Sequence, residues 1–457
     1  MGSGKTISLT GPAVLLIYMV IGFMLYFVMR AMGELLLSDL AYKSFADFAE
    51  DILGPWAGFA TGWSYWFSWI VTAIAEIIAV AGYVAFWWPN LPPWIPAVLA
   101  VIILLALNLL TVKAFGEIEF WFALIKIIAI LTLIAVGMLL VIMDFTSPEG
   151  HRATVSNLWE HGGLFPNGVG GVLAGFQTAI FAFVGMEIVG TTAAEVKNPE
   201  KVMPRAITTI PIRILLFYVG TLLVLMMVTP WRYISSENSP FVGMFSLAGF
   251  ASAASAVNFV VLSSALSSTN SGVYSTSRML YGLSWHRNAS RAFGKLSTRG
   301  VPANALILAA ILLLSAAALL AAGGSVMEAF QMVGSVASLL FIYVWTIILL
   351  SYVAFRKRRP QVHDASTFKM PGGAFMPYVV LAFFVFLVVA LSLQPTTRVS
   401  LYILPLWFIL LAVAYFGKVR KEPHHIQCRA KHYAKVAEER EAAAKYLLPR
   451  NEPPSMP

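Results

Sequence analysis

The chain has 457 residues, of which 59% are hydrophobic and only 12% are charged, with a mean hydropathy of +0.78. A soluble protein of this length needs far more polar surface, so the composition predicts an all-α protein that crosses a membrane several times. The net charge is +9, and the single cysteine, Cys428, excludes an internal disulfide and a cysteine metal cluster.

Eleven apolar runs are long enough to span a bilayer, which requires about 20 residues. If successive loops lie on alternate sides of the membrane, the basic residues are distributed unevenly between the two sides. One set of loops holds only four of the 31 lysines and arginines: Lys5, Arg152, Arg232 and Arg398. The basic side is therefore predicted to be cytoplasmic, in an inner (plasma) membrane, with lipid and not nucleic acid as its partner. The runs cover residues 12–32, 56–86, 93–112, 120–143, 170–192, 207–228, 244–268, 303–322, 326–354, 377–394 and 401–417.

The polar segments on the predicted cytoplasmic side suggest three local structures. Residues 43–53 place Phe45, Phe48 and Ile52 on one helical face, which predicts a short helix along the membrane. Arg30 and Glu34 are one helical turn apart, which predicts a surface pair. Residues 418–457 are predicted to form a solvated, charged cytoplasmic tail, helical near 428–447, after a membrane domain of residues 1–417.

The run at 170–192 departs from the pattern of an ordinary membrane-spanning helix. Gly185, Gly190 and Thr191 weaken the helix, and Glu187 places an ionisable group deep in an apolar segment. Irregular backbone at membrane depth is tolerated only where it is buried in protein or lines a wet cavity, and a buried carboxylate needs solvation, a partner or a proton. The run therefore predicts a substrate or ion path, and with it a transporter.

The position of this run also predicts the architecture. Many secondary transporters contain two inverted repeats, each with a broken helix at the site. If the run at 170–192 opens a second repeat of five spans, only four full spans and the stub at residues 1–10 precede it. We therefore expect eleven full spans plus a stub, with most of the first transmembrane helix missing and only its outer end present.

Several long motifs resemble the amino acid permeases of the amino acid–polyamine–organocation superfamily, over roughly residues 2–416. The resemblance implies a LeuT-type fold of five plus five inverted repeats followed by two C-terminal helices. It implies import of D-alanine, D-serine or glycine with protons, by alternating access and without a cofactor. It also implies a glycine-rich substrate site in the first helix before Met1, so a chain beginning there lacks half of that site. The motifs lie at residues 1–9 (MGSGKTISL), 28–36 (VMRAMGELL), 53–69 (LGPWAGFATGWSYWFSW), 115–130, 181–205 and 270–282 (NSGVYSTSRMLYG).

Lys126 and Glu187 each have two interpretations. Lys126 lies near the inner end of a span, so its ammonium could snorkel to the interface. The resemblance instead implies a proton-coupling lysine that bridges the first and eighth helices, with Ser267 or Ser268 as partners. Glu187 is either a structural carboxylate that accepts hydrogen bonds from unwound backbone or a proton-sensitive group beside the substrate.

The remaining candidates would contact the substrate. Phe181 resembles the aromatic gate of relatives, and the carbonyls of Phe181, Ala182 and Val184, beside Gly185, are expected to be unpaired and to receive the substrate ammonium. Glu76 either faces the cavity and orders the amine or steadies packing. The seven histidines show no ligand spacing, which predicts no metal, and no nucleophile constellation suggests an enzyme.

Three alternatives to small-amino-acid import remain open from the residues. An aromatic or a cationic amino acid permease has the same architecture with a different pocket. A truncated, non-transporting membrane protein is the third, because half of the first helix is expected to be missing.

Overall fold

The computed structural model describes residues 2–42, 44–109, 112–191, 198–236, 239–247, 249, 251–285, 287–297 and 300–447. Within these ranges the chain is helical, and its extended pairing is confined to an isolated bridge between Thr146 and Arg152. Each of the eleven apolar runs lies in or overlaps such a helix. Nine helical segments of the described part are long and apolar enough to cross a membrane, and two shorter apolar helices cover Trp94–Asn108 and Met376–Ser392.

We number the α-helices in chain order. They are α1 (Gly2–Thr10), α2 (Val14–Ser38), α3 (Phe45–Leu53), α4 (Pro55–Val84), α5 (Trp94–Asn108), α6 (Val112–Ile142), α7 (Gly168–Ala179), α8 (Ile188–Thr191), α9 (Pro199–Thr208), α10 (Ile210–Arg213), α11 (Thr221–Val228), α12 (Pro240–Leu247), α13 (Ala251–Trp285), α14 (Ala303–Ala321), α15 (Val326–Arg358), α16 (Pro360–Ala365), α17 (Met376–Ser392), α18 (Pro395–Gly417) and α19 (Pro423–Leu447). Helices α4 and α15 form the buried centre, where they pack against each other.

The predicted stub is a helix of its own. A 3-10 turn, Gly11–Ala13, separates α1 from α2, and Gly11 has a φ of +59°, a conformation that glycine adopts readily. Helix α1 packs on α7, where the Oγ1 atoms of Thr6 and Thr178 are 2.8 Å apart. The chain thus begins with a short helix set directly against the helix at residues 168–179.

The helix in the run at 170–192 is interrupted, which confirms the predicted break near Gly185. Helix α7 passes into a 3-10 turn, Ile180–Phe183, and regular structure resumes at α8. Gly185 has a φ of +97°, which a residue with a Cβ adopts only under strain. The helix is therefore interrupted at Gly185, where the glycine allows this backbone conformation.

Helix α3 confirms the predicted helix and its buried face. Phe45, Phe48 and Ile52 are 0%, 0% and 1% exposed. A capping box begins the helix, because the Ser44 side chain and the Asp47 carboxylate each satisfy a backbone N–H of the first turn. The buried face packs on α4 and α15.

The predicted surface pair of Arg30 and Glu34 is wrong. Glu34 is fully buried and accepts hydrogen bonds from the Tyr352 hydroxyl at 3.0 Å and the Met370 N–H at 2.8 Å. Its other oxygen is 2.5 Å from Nδ1 of His363. The Arg30 guanidinium stacks 3.8 Å above the ring of Phe368. These partners lie in α15 or after it in the chain, so spacing within α2 could not reveal them.

The tail also differs from a freely solvated segment. Helix α19 confirms the predicted helical stretch, and it is exposed along much of its length. One side, however, contacts α4, α15 and α16. The reason is charge pairing between this helix and residues more than 70 positions earlier in the chain.

Candidate functional site

The interruption between α7 and α8 is organised around a buried carboxylate. The Glu187 side chain is fully buried, and its Oε2 accepts a hydrogen bond from the backbone N–H of Gly185 at 3.2 Å. Its backbone carbonyl accepts one from the Gly190 N–H at 2.8 Å. Glu187 therefore satisfies backbone donors that the unwound turn exposes, in keeping with the structural interpretation.

Aromatic side chains from the central helices surround this carboxylate. Tyr65 of α4 and Trp345 of α15 are close enough to act on Glu187 electrostatically. A Cβ at Gly185 would lie 3.5 Å from Cη2 of Trp69, also in α4. We call Glu187, Tyr65, Trp69 and Trp345 the break cluster.

The break cluster contains several buried polar atoms without a partner. Among the described residues, Glu187 Oε1, the Tyr65 hydroxyl and the indole nitrogens of Trp69 and Trp345 have no hydrogen bond within ordinary geometry. Buried polar atoms of native proteins are nearly always paired. Tyr65 and Trp345 lie near the Glu187 carboxylate, and Trp69 lies near Tyr65, so these groups can pair with one another or with a further polar molecule. The sequence analysis missed the three aromatic residues, although the density of aromatics in GWSYWFSW was a visible signal for two of them, Tyr65 and Trp69.

Phe181 stands at the start of the interruption and faces α15. Its ring centre is 5.6 Å from that of Phe330, edge to face, and a Cβ at Gly334 would lie 3.6 Å from the ring. Nothing in these contacts assigns it a gating role, which remains a prediction.

Two of the three carbonyls expected to be unpaired have donors. The Phe181 carbonyl accepts from the Val184 N–H at 3.3 Å, and the Ala182 carbonyl accepts from the Tyr218 hydroxyl at 2.8 Å. The expectation that both are free is therefore wrong. Each carbonyl oxygen has two lone pairs, so one acceptor position on each is left for a ligand.

Lys126, Ser267 and Glu76 form a second group. The Lys126 ammonium, on α6, donates to Oγ of Ser267, on α13, at 2.8 Å. Glu76, half-buried on α4, lies within electrostatic reach of Lys126. Ser268 is half-buried and follows Ser267 on the same helix. We call these four residues the lysine cluster.

The two clusters lie at different levels of α4. Tyr65 and Glu76 are eleven positions apart, which corresponds to about 16 Å along a helix. Glu76 therefore lies away from the level of Glu187 and within electrostatic reach of Lys126. Trp69 lies between Tyr65 and Glu76 along α4. Its ring also packs closely on α13, since a Cβ at Gly272 would be 3.0 Å from the ring.

In the described ranges, no group of three His, Cys, Asp or Glu residues is arranged to hold a metal ion. The break cluster and the lysine cluster offer hydrogen-bonding atoms and charges, which suit binding of a small zwitterion and movement of a proton.

The chain is similar to known proteins over nearly its whole length. The sequence profile of the family described as amino acid permease matches residues 1–427. The chain is 57% identical over 422 residues to the D-serine/D-alanine/glycine transporter of Escherichia coli (strain K12), covering 92% of this chain and 90% of that protein. It is 47% identical to the amino-acid permease AapA of Bacillus subtilis (strain 168), with coverage of 92% and 90%.

A third relative is named for different amino acids. The probable threonine/serine transporter YbxG of Bacillus subtilis (strain 168) is 41% identical, with 91% of this chain and 89% of that protein covered. All three names describe transporters or permeases of amino acids. The chain therefore belongs to the amino acid permease family.

Proposed function

We propose that the protein imports small neutral amino acids, namely D-alanine, D-serine and glycine, together with protons by alternating access. The observation that carries this proposal is the membrane helix interrupted at Gly185, with a buried carboxylate inside the interruption. The 57% identity to a D-serine/D-alanine/glycine transporter supports the choice of substrate. The location would be the inner (plasma) membrane.

The break cluster is our candidate for substrate binding. Phe181, Ala182, Val184, Gly185 and Glu187 would surround the substrate. An unpaired Glu187 oxygen and the second lone pairs of the carbonyls accept hydrogen bonds, so they suit an ammonium. The unpaired indole and phenol donors of the cluster suit a carboxylate. Glu76 would act on the substrate amine from the lysine cluster.

The lysine cluster is our candidate for proton coupling. Lys126 would carry the proton, with Ser267 and Ser268 as its hydrogen-bonding partners. A lysine in a low-dielectric setting reaches its neutral form more easily than a solvated one, which allows it to release and regain a proton during each cycle. The bond to Ser267 ties this change to α13.

The architecture we propose is two inverted repeats of five spans followed by two C-terminal helices. The repeats and the following helices would occupy residues 1–417, and residues 418–457 would form a cytoplasmic extension. The direct packing of α1 on α7 supports this arrangement, because in such a fold the leading helices of the two repeats meet at the site.

The test is uptake of labelled glycine and D-alanine into proteoliposomes. We expect accumulation when an inward proton gradient is imposed and none after an uncoupler is added. Unlabelled D-serine should compete, whereas phenylalanine and arginine should not. Stronger competition by an aromatic or cationic amino acid would reject the proposed substrates, and accumulation that is insensitive to the uncoupler would reject the proton coupling.

A further inference from the structure

Helix α19 lies mostly beyond the family match, which ends at residue 427, yet it is tied to the transport core. Arg359, just after α15, donates to Glu439 of α19 at 2.7 Å and to Asp51 of α3 at 2.6 Å. Lys435 of α19 donates to the other oxygen of Asp51 at 2.6 Å. Tyr42 completes the group by donating to Asp51 at 2.5 Å.

Three of the four charged side chains in this ion-pair network are largely shielded from water, whereas the side chain of Lys435 is 46% exposed. The side chains of Arg359, Asp51 and Glu439 are 13%, 20% and 14% exposed. Burial opposes the ionisation of Asp51, but hydrogen bonds from Lys435, Tyr42 and Arg359 outweigh it and lower the pKa of Asp51 to about 2. Paired charges with little access to solvent are stronger than exposed ones, so the network is a genuine attachment of the tail.

The network adds to the direct packing between α3 and α15. Asp51 belongs to α3, which connects α2 to α4, whereas Arg359 ends α15. Helix α19 contributes an anion, Glu439, which pairs with Arg359, and a cation, Lys435, which pairs with Asp51. It therefore contacts both α3 and the residue that follows α15. Any movement that separates α3 from the end of α15 must break these contacts.

The attachment is also of a kind that can be released. Among the side chains of α19 that the structure describes, most are exposed, and the buried apolar one is Val436, which is 8% exposed. Lys435, whose side chain is 46% exposed, is the member of the network that salt and competing charged partners can reach. A helix held in this way can dock and undock while the core stays folded.

We propose that α19 is an inhibitory latch, which docks on the surface formed by α3 and the end of α15 and slows the conformational cycle of transport. This inference rests on the proposed transport function. The docked helix stabilises the state in which α3 and α15 are joined. Removing it lowers the barrier to leaving that state and raises the rate of uptake.

The first experiment compares initial uptake rates in proteoliposomes. A chain ending at Lys421 and the variant Glu439→Gln should both transport at least about fivefold faster than the full chain, the lower end of typical coupling between sites. Glu438→Gln is the matched control, because Glu438 is the exposed neighbour and takes no part in the network. Unchanged or slower uptake by both altered chains, at equal amounts of folded protein, would overturn the latch.

The second experiment locks the helix in place. Glu50 of α3 is an electrostatic neighbour of Cys428 of α19, so Glu50→Cys creates a thiol pair across the contact. Joining the pair with a short, reducible thiol crosslinker should lower uptake at least about fivefold, and reductant should restore it. The same variant with Cys428→Ser cannot be joined and should be insensitive to the reagent.

The two experiments separate failure of the latch from failure of the proposed function. Formation of the crosslink, read by mass spectrometry, reports docking without any transport. Absence of the crosslink, or equal uptake by locked and reduced forms, rejects the latch while transport stands. Absence of uptake by every form rejects the proposed transport function and with it the inhibitory role.

Discussion

At the scale of single residues, Lys126 offers the most direct test of proton coupling. Its ammonium donates to Ser267 Oγ at 2.8 Å. We expect Lys126→Ala to reduce gradient-driven uptake of labelled glycine by at least about tenfold, which corresponds to about 1.4 kcal/mol. Exchange of internal for external substrate, which needs no net proton movement, should be less affected. The measurement is uptake under an imposed gradient beside counterflow without one.

Lys201→Ala is the control for Lys126→Ala, because Lys201 is an exposed lysine of α9. It removes the same charge from a solvated position and should leave driven uptake unchanged. Full driven uptake by Lys126→Ala would leave the snorkelling interpretation as the explanation of this lysine.

Two substitutions of Glu187 separate the hydrogen bond that its side chain accepts from the charge that it carries. Glu187→Gln keeps an oxygen that can accept the bond from the Gly185 N–H, whereas Glu187→Ala removes it. We expect Glu187→Ala to lower the free energy of unfolding by about 1–3 kcal/mol, the usual penalty for an unsatisfied buried donor. Glu187→Gln should lower the free energy of unfolding by less. Thermal unfolding in detergent measures this difference.

Uptake by the same variants then addresses the other interpretation of Glu187. A carboxylate with only a structural role predicts normal uptake by Glu187→Gln. A stable Glu187→Gln protein that no longer takes up substrate indicates that the charge or its proton is required. An Ala variant as stable as the parent would instead remove the structural role.

At the scale of elements, close helix contact explains the glycine at the α1–α7 junction. A Cβ at Gly175 would lie 2.1 Å from Thr10 Cγ2 and 2.6 Å from Ile17 Cδ1. We expect Gly175→Ala to destabilise the protein by about 1–3 kcal/mol through overpacking. Gly170→Ala, on the same helix with open space around it, should be neutral or slightly stabilising, since alanine favours helix. Equal melting temperatures for the two variants would contradict this packing.

Helix α3 makes stability depend on pH through Glu50, which lies outside the long apolar helices. Burial, followed by the nearby Asp47 and Asp51, raises the pKa of Glu50 from 4.5 to about 7. The folded protein therefore holds this proton more tightly than the unfolded chain. The resulting stability is complete below about pH 4.5 and disappears as the pH rises through about 7.

The corresponding variant is Glu50→Gln. We expect the variant to be more stable than the parent at about pH 8, by an amount of the order of 1–3 kcal/mol, and so to melt at a higher temperature there; the difference should be much smaller near pH 5. Glu328→Gln alters an exposed carboxylate of α15 and serves as the control. A Glu50→Gln difference that does not change between these two pH values would argue against a neutral Glu50 in the folded state.

These elements show what local sequence can and cannot reveal. The interruption at Gly185 and the amphipathic α3 follow from the residues within one segment, so both could be predicted. The environment of Glu34 depends on Met370 and His363, more than 300 positions away. The docking of α19 depends likewise on distant charges. Pairing between distant segments leaves no period in the sequence, which is why these two features were missed.

The candidate site divides in the same way. A lysine and two acids in apolar runs are visible at once, because each is costly in a membrane. That Lys126 meets Ser267 was expected only through resemblance to known permeases, whereas the electrostatic influence of Lys126 on Glu76 was not expected. The aromatic residues around Glu187 come from two other helices, and their grouping requires the fold.

At the scale of the whole molecule, the uneven distribution of basic residues predicts that the C-terminus is cytoplasmic. Cys428 is a native reporter of this orientation, since it is the sole cysteine and lies on α19. Burial, and then the Glu50 carboxylate, raise the pKa of the Cys428 thiol, so labelling is best performed at about pH 8.5, where more thiolate is present. A membrane-impermeant maleimide should label Cys428 in inverted vesicles and leave it unlabelled in right-side-out spheroplasts.

An engineered cysteine on the opposite side makes the experiment symmetrical. Glu149→Cys in a Cys428→Ser background places the thiol at an exposed position of the loop that carries Arg152. It should react in spheroplasts and not in inverted vesicles. Because Lys5, Arg152, Arg232 and Arg398 are the only basic residues assigned to that side, the reverse pattern would invert the whole charge assignment. In that orientation α19 would face the outside, and a latch on the cytoplasmic ends of α3 and α15 would no longer be tenable.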